Sequence, residues 1–358
     1  MTGAGPEKRR EAATDLSASA PALAGEAPLA GQAAPAREAA PAPAAAGSDD
    51  GGLRRDWLAP FELNVPLTLA VHRRGRGDPT FRVDADGAIW RTCLTPDGPA
   101  TMRLTARPFA DGSPGTLITT QAWGHGAAWL TDSAPDLLGA SDNPEAFRPD
   151  HPRLRSLAGQ LAGLRISRTG RVFEALVPAV LEQKVVGVEA RRAWRILLHR
   201  FGLPAPGPAP AGMRVVPPAA AWRAIPSWDW HLAGVEAVRA RTIATAAGVA
   251  GRLEEISSLP APEADQWLQS LPGIGVWTSA EIRQRAAGDP DAVSVGDYHI
   301  PAQVGWALAG RVVDDAGMLE LLAPYAGQRY RVTRLIELSG SGSPRRGPRM
   351  SARDYRAI

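Results

Sequence analysis

The sequence is poor in cysteine, and this scarcity excludes several kinds of site. Cys93 is the only cysteine among 358 residues, so the chain cannot form an intramolecular disulfide, a cysteine-based zinc site or a four-cysteine iron–sulfur cluster. The six histidines include no His-x₃-His pair, which argues against a metal hydrolase. A single cysteine is typical of proteins from a reducing compartment, and we expect a cytoplasmic location.

The sequence also lacks long apolar runs and is nearly free of lysine. No stretch approaches about 18 consecutive apolar residues, so we expect no membrane-spanning helix. Lys8 and Lys184 are the only lysines, and the formal net charge is +3. Residues 340–358 contain five arginines and one aspartate, so the rest of the chain is close to neutral. Net charge alone therefore argues only weakly for a nucleic-acid partner.

Changes of composition divide the chain into four segments. Residues 1–55 are rich in Ala, Pro, Gly and Glu without apolar periodicity, which predicts a disordered tail. This tail has no continuous apolar stretch and is therefore not a signal peptide. Residues 340–358 form a basic C-terminal tail. Polar residues with prolines at 141–152 mark the boundary between the two segments that remain, 56–145 and 150–339.

Residues 56–145 show short alternating runs separated by turn signals, which predict an antiparallel sheet followed by a helix at 126–138. Arg73, Arg74 and Arg76 lie in one of the turns, where we expect solvated side chains rather than phosphate contacts. The predicted strands are Phe61–Val71, Thr80–Val83, Ala88–Leu94, Ala100–Ala106 and Leu117–Trp123.

Residues 150–339 have helical periodicity. Apolar residues recur at spacings of three and four between Phe173 and Phe201, which predicts a long helix with a break near Gly187. Trp222, Trp228 and Trp230 are expected to pack in the core. The fold class is therefore α+β, with an N-terminal antiparallel sheet domain and a helical second domain.

The most distinctive stretch is Leu271-Pro-Gly-Ile-Gly-Val-Trp-Thr-Ser-Ala280. Helical patterns at 263–270 and 276–287 flank it, which predicts two helices joined by a tight glycine-rich turn. We expect Gly273 and Gly275 to adopt positive φ and to allow close approach of a partner. Free N–H groups at the start of the second helix form an anion site, and we expect a DNA phosphate there. A turn without function is the alternative.

A candidate functional carboxylate follows this turn in the sequence. Asp297 lies 22 residues after Gly275, directly before an apolar-periodic run at Ile300, Val304 and Leu308. It is a candidate N-cap of the following helix. A capping carboxylate can also face a cleft, so the two roles are compatible.

These two stretches resemble the helix-hairpin-helix, Gly/Pro-rich, aspartate signature of DNA base-excision glycosylases (the HhH-GPD superfamily). The segment Gln269–Thr278 is most similar to 3-methyladenine DNA glycosylase II, the AlkA type. The resemblance covers most of residues 60–340 and is strongest at 271–278 and 288–297. It implies an N-terminal β-domain followed by an all-helical glycosylase domain.

The resemblance assigns chemical roles to three residues. Asp297 is expected to stabilise the positive charge that develops on the sugar when the glycosidic bond breaks. Bifunctional relatives carry a lysine where this chain has Trp277, so we expect a monofunctional enzyme whose indole lines the base pocket. Glu281 replaces an aromatic that the family often has there, and its carboxylate could attract a cationic base.

The resemblance also implies DNA and ion contacts. Lys184 follows a Leu-x-Gln segment beside the DNA, and a wedge, a phosphate contact and a solvated side chain all remain open for it. Main-chain carbonyls of Gln269, Leu271 and Ile274 match positions that hold a Na⁺ or K⁺ ion. No cofactor is needed for the chemistry. The expected DNA-binding residues are Gly273, Ile274, Gly275, Val276, Thr278, Gln183 and Lys184.

The sequence thus predicts a glycosylase that flips and excises damaged bases, alkylated purines above all, from duplex DNA in the nucleoid. No membrane contact is expected, and protein partners are not predictable. Two alternatives stay open, a non-catalytic DNA-structure binder and a bifunctional glycosylase/lyase.

Overall fold

The computed structural model describes residues 52–109, 115–340 and 342. Most of both predicted tails therefore lies outside the described residues. Predicted domain limits within the described part stay predictions, and the apolar cores are reported below as the structure has them.

The N-terminal part is a five-stranded antiparallel sheet in the order β1-β5-β4-β3-β2. Residues alternate between buried and exposed along β5, as expected when one sheet face is covered. The covering apolar cluster includes Met102, Leu104 and Ile118, with three short helices packed over it. These elements are β1 (Leu53–Ala59), α1 (Val65–Leu69), β2 (Phe81–Val83), β3 (Ile89–Thr95), β4 (Gly98–Pro108), β5 (Thr116–Gly124), α2 (Ala127–Asp132) and α3 (Ala134–Leu137).

The predicted strand Phe61–Val71 is wrong. This stretch forms α1 and a 3₁₀ turn at Ala70–His72, because the Asn64 side chain accepts a hydrogen bond from Leu67 N at 3.1 Å and a proline occupies the first helical turn. The first strand is β1 instead. The other four predicted strands and the following helical region are confirmed.

The helices of the remainder are interrupted by two paired two-residue strands between Phe201 and Ala219. The elements are α4 (Pro152–Gln160), α5 (Val172–Leu181), α6 (Gly187–Phe201), β6 (Leu203–Pro204), β7 (Arg214–Val215), α7 (Ala219–Ala224), α8 (Ser227–Ala233), α9 (Ala237–Gly248), α10 (Ala250–Glu255), α11 (Ala261–Gln269), α12 (Val276–Ala286), α13 (Ile300–Ala309), α14 (Asp315–Leu322) and α15 (Arg329–Leu338). The α+β class is confirmed.

The long helix predicted at 173–201 is divided into α5 and α6. The break spans residues 182–186, and Gly187 begins α6. Lys184 has φ +54°, and among the described residues no other non-glycine residue has a positive φ. Such a conformation reverses the chain direction and exposes the turn between α5 and α6.

The helices surround two apolar cores. One is built from α5, α6, α7, α9 and α12, and the other joins α4 to α13, α14 and α15. Trp222 and Trp230 stack at 5.9 Å between ring centroids in the first core. The prediction of core packing is wrong for Trp228, whose side chain is 64% exposed on α8.

Candidate active site

The predicted hairpin is present, with α11 and α12 joined by residues 270–275. Gly273 has φ +88°, and an added Cβ would overlap the Thr242 hydroxyl on α9. Glycine is therefore required here for both conformation and space. The expected positive φ is wrong for Gly275, which has φ −102° and extended backbone. A Cβ at Gly275 would meet nothing within 4 Å, so its backbone borders open space.

Side chains hold the two helices of the hairpin together. Asp265 on α11 accepts a hydrogen bond from Ser279 Oγ at 2.6 Å and pairs with Arg283 at 3.3 Å, both on α12. Arg283 pairs in turn with Asp289, beyond the end of α12. The hairpin is thus tied to the segment that leads on to the candidate catalytic carboxylate.

Gln183 connects the hairpin to the turn between α5 and α6. Its Nε2 donates to Gly273 O at 2.9 Å and to Thr278 Oγ1 at 2.8 Å. The structure therefore brings together two stretches that the sequence separates by about ninety residues. Gln183 holds the turn in place through its Nε2. Its predicted DNA contact stays a prediction and would involve the side-chain atoms that remain accessible.

The predicted DNA-binding residues divide into two groups by exposure. Gly273, Gly275, Val276 and Lys184 are exposed, with Val276 at 50%. The side chains of Ile274 and Thr278 are buried, which leaves only their main-chain groups for contact. The hairpin residues of this set therefore offer mostly main-chain groups, which suit phosphate better than bases, and their contact with DNA stays a prediction.

Asp297 is held by three hydrogen bonds. Its Oδ1 accepts from the main-chain N–H groups of His299 at 2.7 Å and Ile300 at 3.0 Å, so it caps the start of α13 as predicted. Its Oδ2 accepts from Trp277 Nε1 at 3.1 Å. The structure thus places the candidate catalytic carboxylate and the candidate pocket aromatic in direct contact, with both side chains partly exposed.

A buried polar network between α12 and residues 292–294 holds the loop that carries Asp297. Gln284 Nε2 donates to Ala292 O and to Ser294 Oγ, both at 2.9 Å. Ser294 Oγ donates to Glu281 Oε1 at 2.6 Å, and Ser294 O accepts from Asp297 N at 3.2 Å. Gln284 lies outside the matched stretches and Ser294 lies inside 288–297, but the sequence assigned no role to either residue.

The structure changes the interpretation of Glu281. Its side chain is buried and pairs with Arg285 at 2.7 Å. Burial alone would lower the pKa of the Arg285 guanidinium, but the charges of Glu281, Tyr330 and Glu182 and the hydrogen bond to Glu281 together outweigh burial, so the pKa is raised. The hypothesis that a free carboxylate attracts a cationic base is therefore wrong. A role for Glu281 in the shape of the base pocket stays a prediction.

Arg74 is a further correction. Rather than lying in a solvated turn, it is buried and pairs with Glu182 at 3.3 Å. Arg73 and Arg76 are exposed as predicted.

Comparisons with known proteins agree with this geometry. No protein-family model matches the chain. It is 31% identical over 264 residues to a Mycobacterium tuberculosis protein described as "Probable bifunctional transcriptional activator/DNA repair enzyme AlkA", over 71% of this chain and 50% of that protein. The chain therefore spans about half the length of the curated relatives it matches.

Solved structures share the fold. A 3-methyladenine DNA-glycosylase from Archaeoglobus fulgidus aligns with a TM-score of 0.66 at 19% identity, over 79% of this chain and 97% of that chain. An 8-oxoguanine glycosylase/lyase from Clostridium acetobutylicum, in complex with double-stranded DNA, aligns with a TM-score of 0.57 at 12% identity, over 82% and 99%. Identities this low establish the architecture and not the substrate.

Within the described residues, no helix is both long enough and apolar enough to cross a membrane. The same residues contain no cluster of three or more His, Cys, Asp or Glu side chains able to hold a metal ion. The chain is thus similar in sequence to a DNA repair enzyme of the AlkA type and shares the fold of solved DNA glycosylases.

Proposed function

We propose that the chain is a monofunctional DNA glycosylase that flips damaged bases, alkylated purines in particular, out of duplex DNA and leaves an abasic site. The observation that carries the proposal is the 3.1 Å hydrogen bond from Trp277 Nε1 to Asp297 Oδ2. It sets an electron-rich ring beside a fixed carboxylate at the edge of the hairpin. A flipped nucleotide would bring its base and its sugar into such a site together.

Asp297 supplies the charge that the reaction needs. Breaking the N-glycosidic bond develops positive charge on the sugar, which a nearby carboxylate stabilises. The hydrogen bonds from His299 N, Ile300 N and Trp277 fix the orientation of this carboxylate before substrate arrives. It can also orient the water that attacks the sugar.

Trp277 supports both the substrate class and the reaction type. The face of an indole attracts a cationic alkylated purine by stacking and cation–π interaction. The position offers no amine to attack the sugar, as a lyase requires. Lys184, the one lysine in the described residues, lies on the exposed turn after α5. The Clostridium neighbour is described as a glycosylase/lyase, so the reaction type needs its own test.

The hairpin would hold the DNA backbone. The N-terminus of α12 begins at Val276 without a side-chain cap, so its N–H groups can donate to a phosphate. A Na⁺ or K⁺ ion on the carbonyls of Gln269, Leu271 and Ile274 would reinforce that contact. Leu271 O already accepts from Ile274 N at 3.0 Å, and its second lone pair remains for an ion.

The test is release of 3-methyladenine from methylated duplex DNA, compared between wild type and Asp297→Asn. Asparagine keeps an oxygen for capping α13 and loses the charge. We expect release to fall by about 10²- to 10³-fold while binding to duplex DNA persists. Equal release by both proteins would overturn the role of Asp297. Binding without release by wild type, on this DNA and on a panel of other lesions, would favour the non-catalytic alternative.

Borohydride reduction tests the reaction type with the same DNA. A monofunctional enzyme gives free base and no covalent protein–DNA complex, whereas a lyase is trapped on the DNA. A trapped complex that disappears in Lys184→Ala would replace the monofunctional proposal by the bifunctional one.

A further inference from the structure

A loop of the sheet domain is locked against α6. Asp78, which is buried, accepts hydrogen bonds from Arg74 N at 2.6 Å and Thr80 N at 2.9 Å. Its Oδ1 also accepts from Trp194 Nε1 of α6 at 3.0 Å. The loop 73–80 therefore has a defined position relative to the helical part of the molecule.

Glycines let two arginines of α6 lie along this loop. Gly75 has φ +79°, and an added Cβ would lie 2.5 Å from Arg191 Cδ. A Cβ at Gly77 would lie 3.5 Å from Arg195 Cδ. Arg191 also reaches back over the start of α6, where a Cβ at Gly187 would lie 2.9 Å from its Nη1.

Five basic residues, hereafter the basic surface, thus come from two distant stretches: Arg73, Arg76, Lys184, Arg191 and Arg195. Four of them are exposed and Arg195 is half-buried. Within the described part of the chain, none of the five side chains forms a hydrogen bond or ion pair with a described residue, whereas the side chain of their neighbour Arg74 pairs with Glu182.

The carboxylates near the basic surface are too few to neutralise it. Asp78 and Glu189 are buried, and they set two negative charges against the five positive ones. Glu182 pairs with Arg74. Unpaired arginines held by packed glycines create a positive potential that persists beside these carboxylates.

The basic surface adjoins the candidate DNA interface. The Arg74–Glu182 ion pair joins the loop to the turn between α5 and α6. The next residue of that turn, Gln183, donates to Gly273 O in the hairpin. The surface therefore extends from the sheet domain, past Lys184, to the hairpin.

We propose that the basic surface binds backbone phosphates of the same DNA duplex that the hairpin holds, so that the sheet domain takes part directly in DNA binding. This inference rests on the proposed function. Contacts to phosphates carry no sequence information, so this contact would add affinity for any duplex and no preference for a lesion.

The test is the salt dependence of binding to a duplex that carries an abasic-site analogue, measured for wild type and for the double variant Arg73→Ala/Arg76→Ala. Each phosphate contact contributes about 0.9 to the slope of log affinity against log salt. We expect the slope to become shallower by about 1.8, with affinity roughly 10- to 100-fold weaker at low salt.

A matched control removes two exposed arginines from the other side of the sheet. Arg82 follows the buried Phe81 on β2 and so points to the opposite face, and Arg107 lies near the end of β4; both are exposed. Arg82→Ala/Arg107→Ala should leave the slope unchanged. The proposal is overturned if the two double variants lose equal affinity, which would indicate a general effect of net charge, or if neither changes the slope.

Base release measured on the same proteins separates this proposal from the proposed function. If wild type binds with the predicted slope and releases no base, the glycosylase chemistry fails and the basic surface stands. If wild type releases base and the slope does not depend on Arg73 and Arg76, the basic surface fails and the chemistry stands. Charge reversal in Arg76→Glu should weaken binding more than Arg76→Ala.

Discussion

The exposed start of α12 and its buried polar side chains have different roles. The start presents Trp277 toward Asp297 and leaves Val276 exposed, with main-chain N–H groups open to a ligand. Further along the helix, buried polar side chains, among them Ser279, Glu281 and Gln284, stand where an ordinary helix would carry aliphatic ones. The comparison shows that one helix both offers the site and positions it.

The buried polar side chains of α12 do not destabilise the protein, because they are hydrogen-bonded. An unpaired buried polar group costs about 1–3 kcal/mol, yet Ser279 donates to Asp265 and Gln284 donates to Ser294. These bonds fix α11 on one side and the Asp297 loop on the other. Polar contacts are directional, so they specify one position for the carboxylate in a way that apolar packing does not.

The largest effect is expected at the turn, where Gly273 faces the protein and Gly275 faces outward. Gly273→Ala puts a Cβ in the left-handed region and against Thr242. We expect a loss of about 2–5 kcal/mol in the free energy of unfolding, from strain of about 1–2 kcal/mol and overpacking of about 1–3 kcal/mol. Chemical denaturation measures this loss.

Gly275→Ala is the control for that comparison. Its Cβ meets nothing within 4 Å and its φ is negative, so we expect a change in stability below about 0.5 kcal/mol. DNA affinity should nevertheless fall, because the methyl group crowds the backbone that faces the phosphate. Equal stability losses for the two variants would show that the turn packs differently.

The next largest effect is expected at Ser294, the partner of the buried polar side chains of α12. Ser294→Ala removes the hydroxyl that accepts from Gln284 and donates to Glu281. Leaving these groups without a partner should destabilise the protein by about 1–3 kcal/mol. Base release should fall more than DNA affinity, because the Asp297 loop loses its anchor while the hairpin backbone is untouched. Thermal unfolding and single-turnover release measure the two losses.

Ser270→Ala is the matched control, since this exposed hydroxyl donates only to Trp267 O at 2.6 Å. We expect a change within about 0.5 kcal/mol and unaltered release. If Ser294→Ala also leaves release unaltered at temperatures where it is folded, the network stabilises the fold and does not position Asp297.

The difference between the exposed start of α12 and its buried polar side chains also explains which parts of the site the sequence could predict. The hairpin is predictable because Leu271–Gly275 is a local signal in which proline and glycine limit the backbone, and Asp297 because it follows at the spacing of a known signature. The network through Ser294 is not predictable, because its side-chain partners Gln284 and Glu281 lie 10 and 13 residues away, on a helix outside the stretch that contains Ser294.

Two other misses have the same origin. Burial of Arg74 depends on Glu182, which lies 108 residues away. Alternation at 61–71 resembles a strand, but the cap at Asn64 and the following proline favour a helix. Sequence patterns thus predicted elements and the exposed site, whereas tertiary partners determined which charged residues are buried.

A smaller effect on base release is expected from Trp277→Phe, at the exposed start of α12. Phenylalanine keeps an aromatic ring for the base and loses the N–H that donates to Asp297. One such hydrogen bond contributes about 1 kcal/mol, so base release should fall roughly fivefold. Trp277→Ala, which also removes the ring, should cost more and should raise the KM for methylated DNA. Equal release by wild type and Trp277→Phe would show that the hydrogen bond does not orient the carboxylate.

The smallest effect is expected far from α12, at His72, where a titratable ring contacts Ser167 Oγ at 2.7 Å. Burial and the charges of Arg91, Arg285 and Arg74 hold the pKa of His72 well below its usual value. The folded protein therefore keeps His72 neutral at a pH where the unfolded chain, with an ordinary pKa near 6.5, binds a proton.

Stability contributed by this neutral ring is present above the unfolded pKa and is lost as pH falls through it. Between about pH 7.5 and pH 6.5 we expect wild type to lose roughly 0.4 kcal/mol through His72. His72→Gln, which can still hydrogen-bond to Ser167, should lack that part of the pH dependence. Urea unfolding of both proteins at the two pH values measures the difference, and parallel losses would show that His72 is protonated in the folded state. Arg91, Arg285 and Arg74 each form an ion pair, with Glu174, Glu281 and Glu182 respectively. The result therefore also tests whether an arginine in an ion pair still lowers the pKa of a neighbouring imidazole.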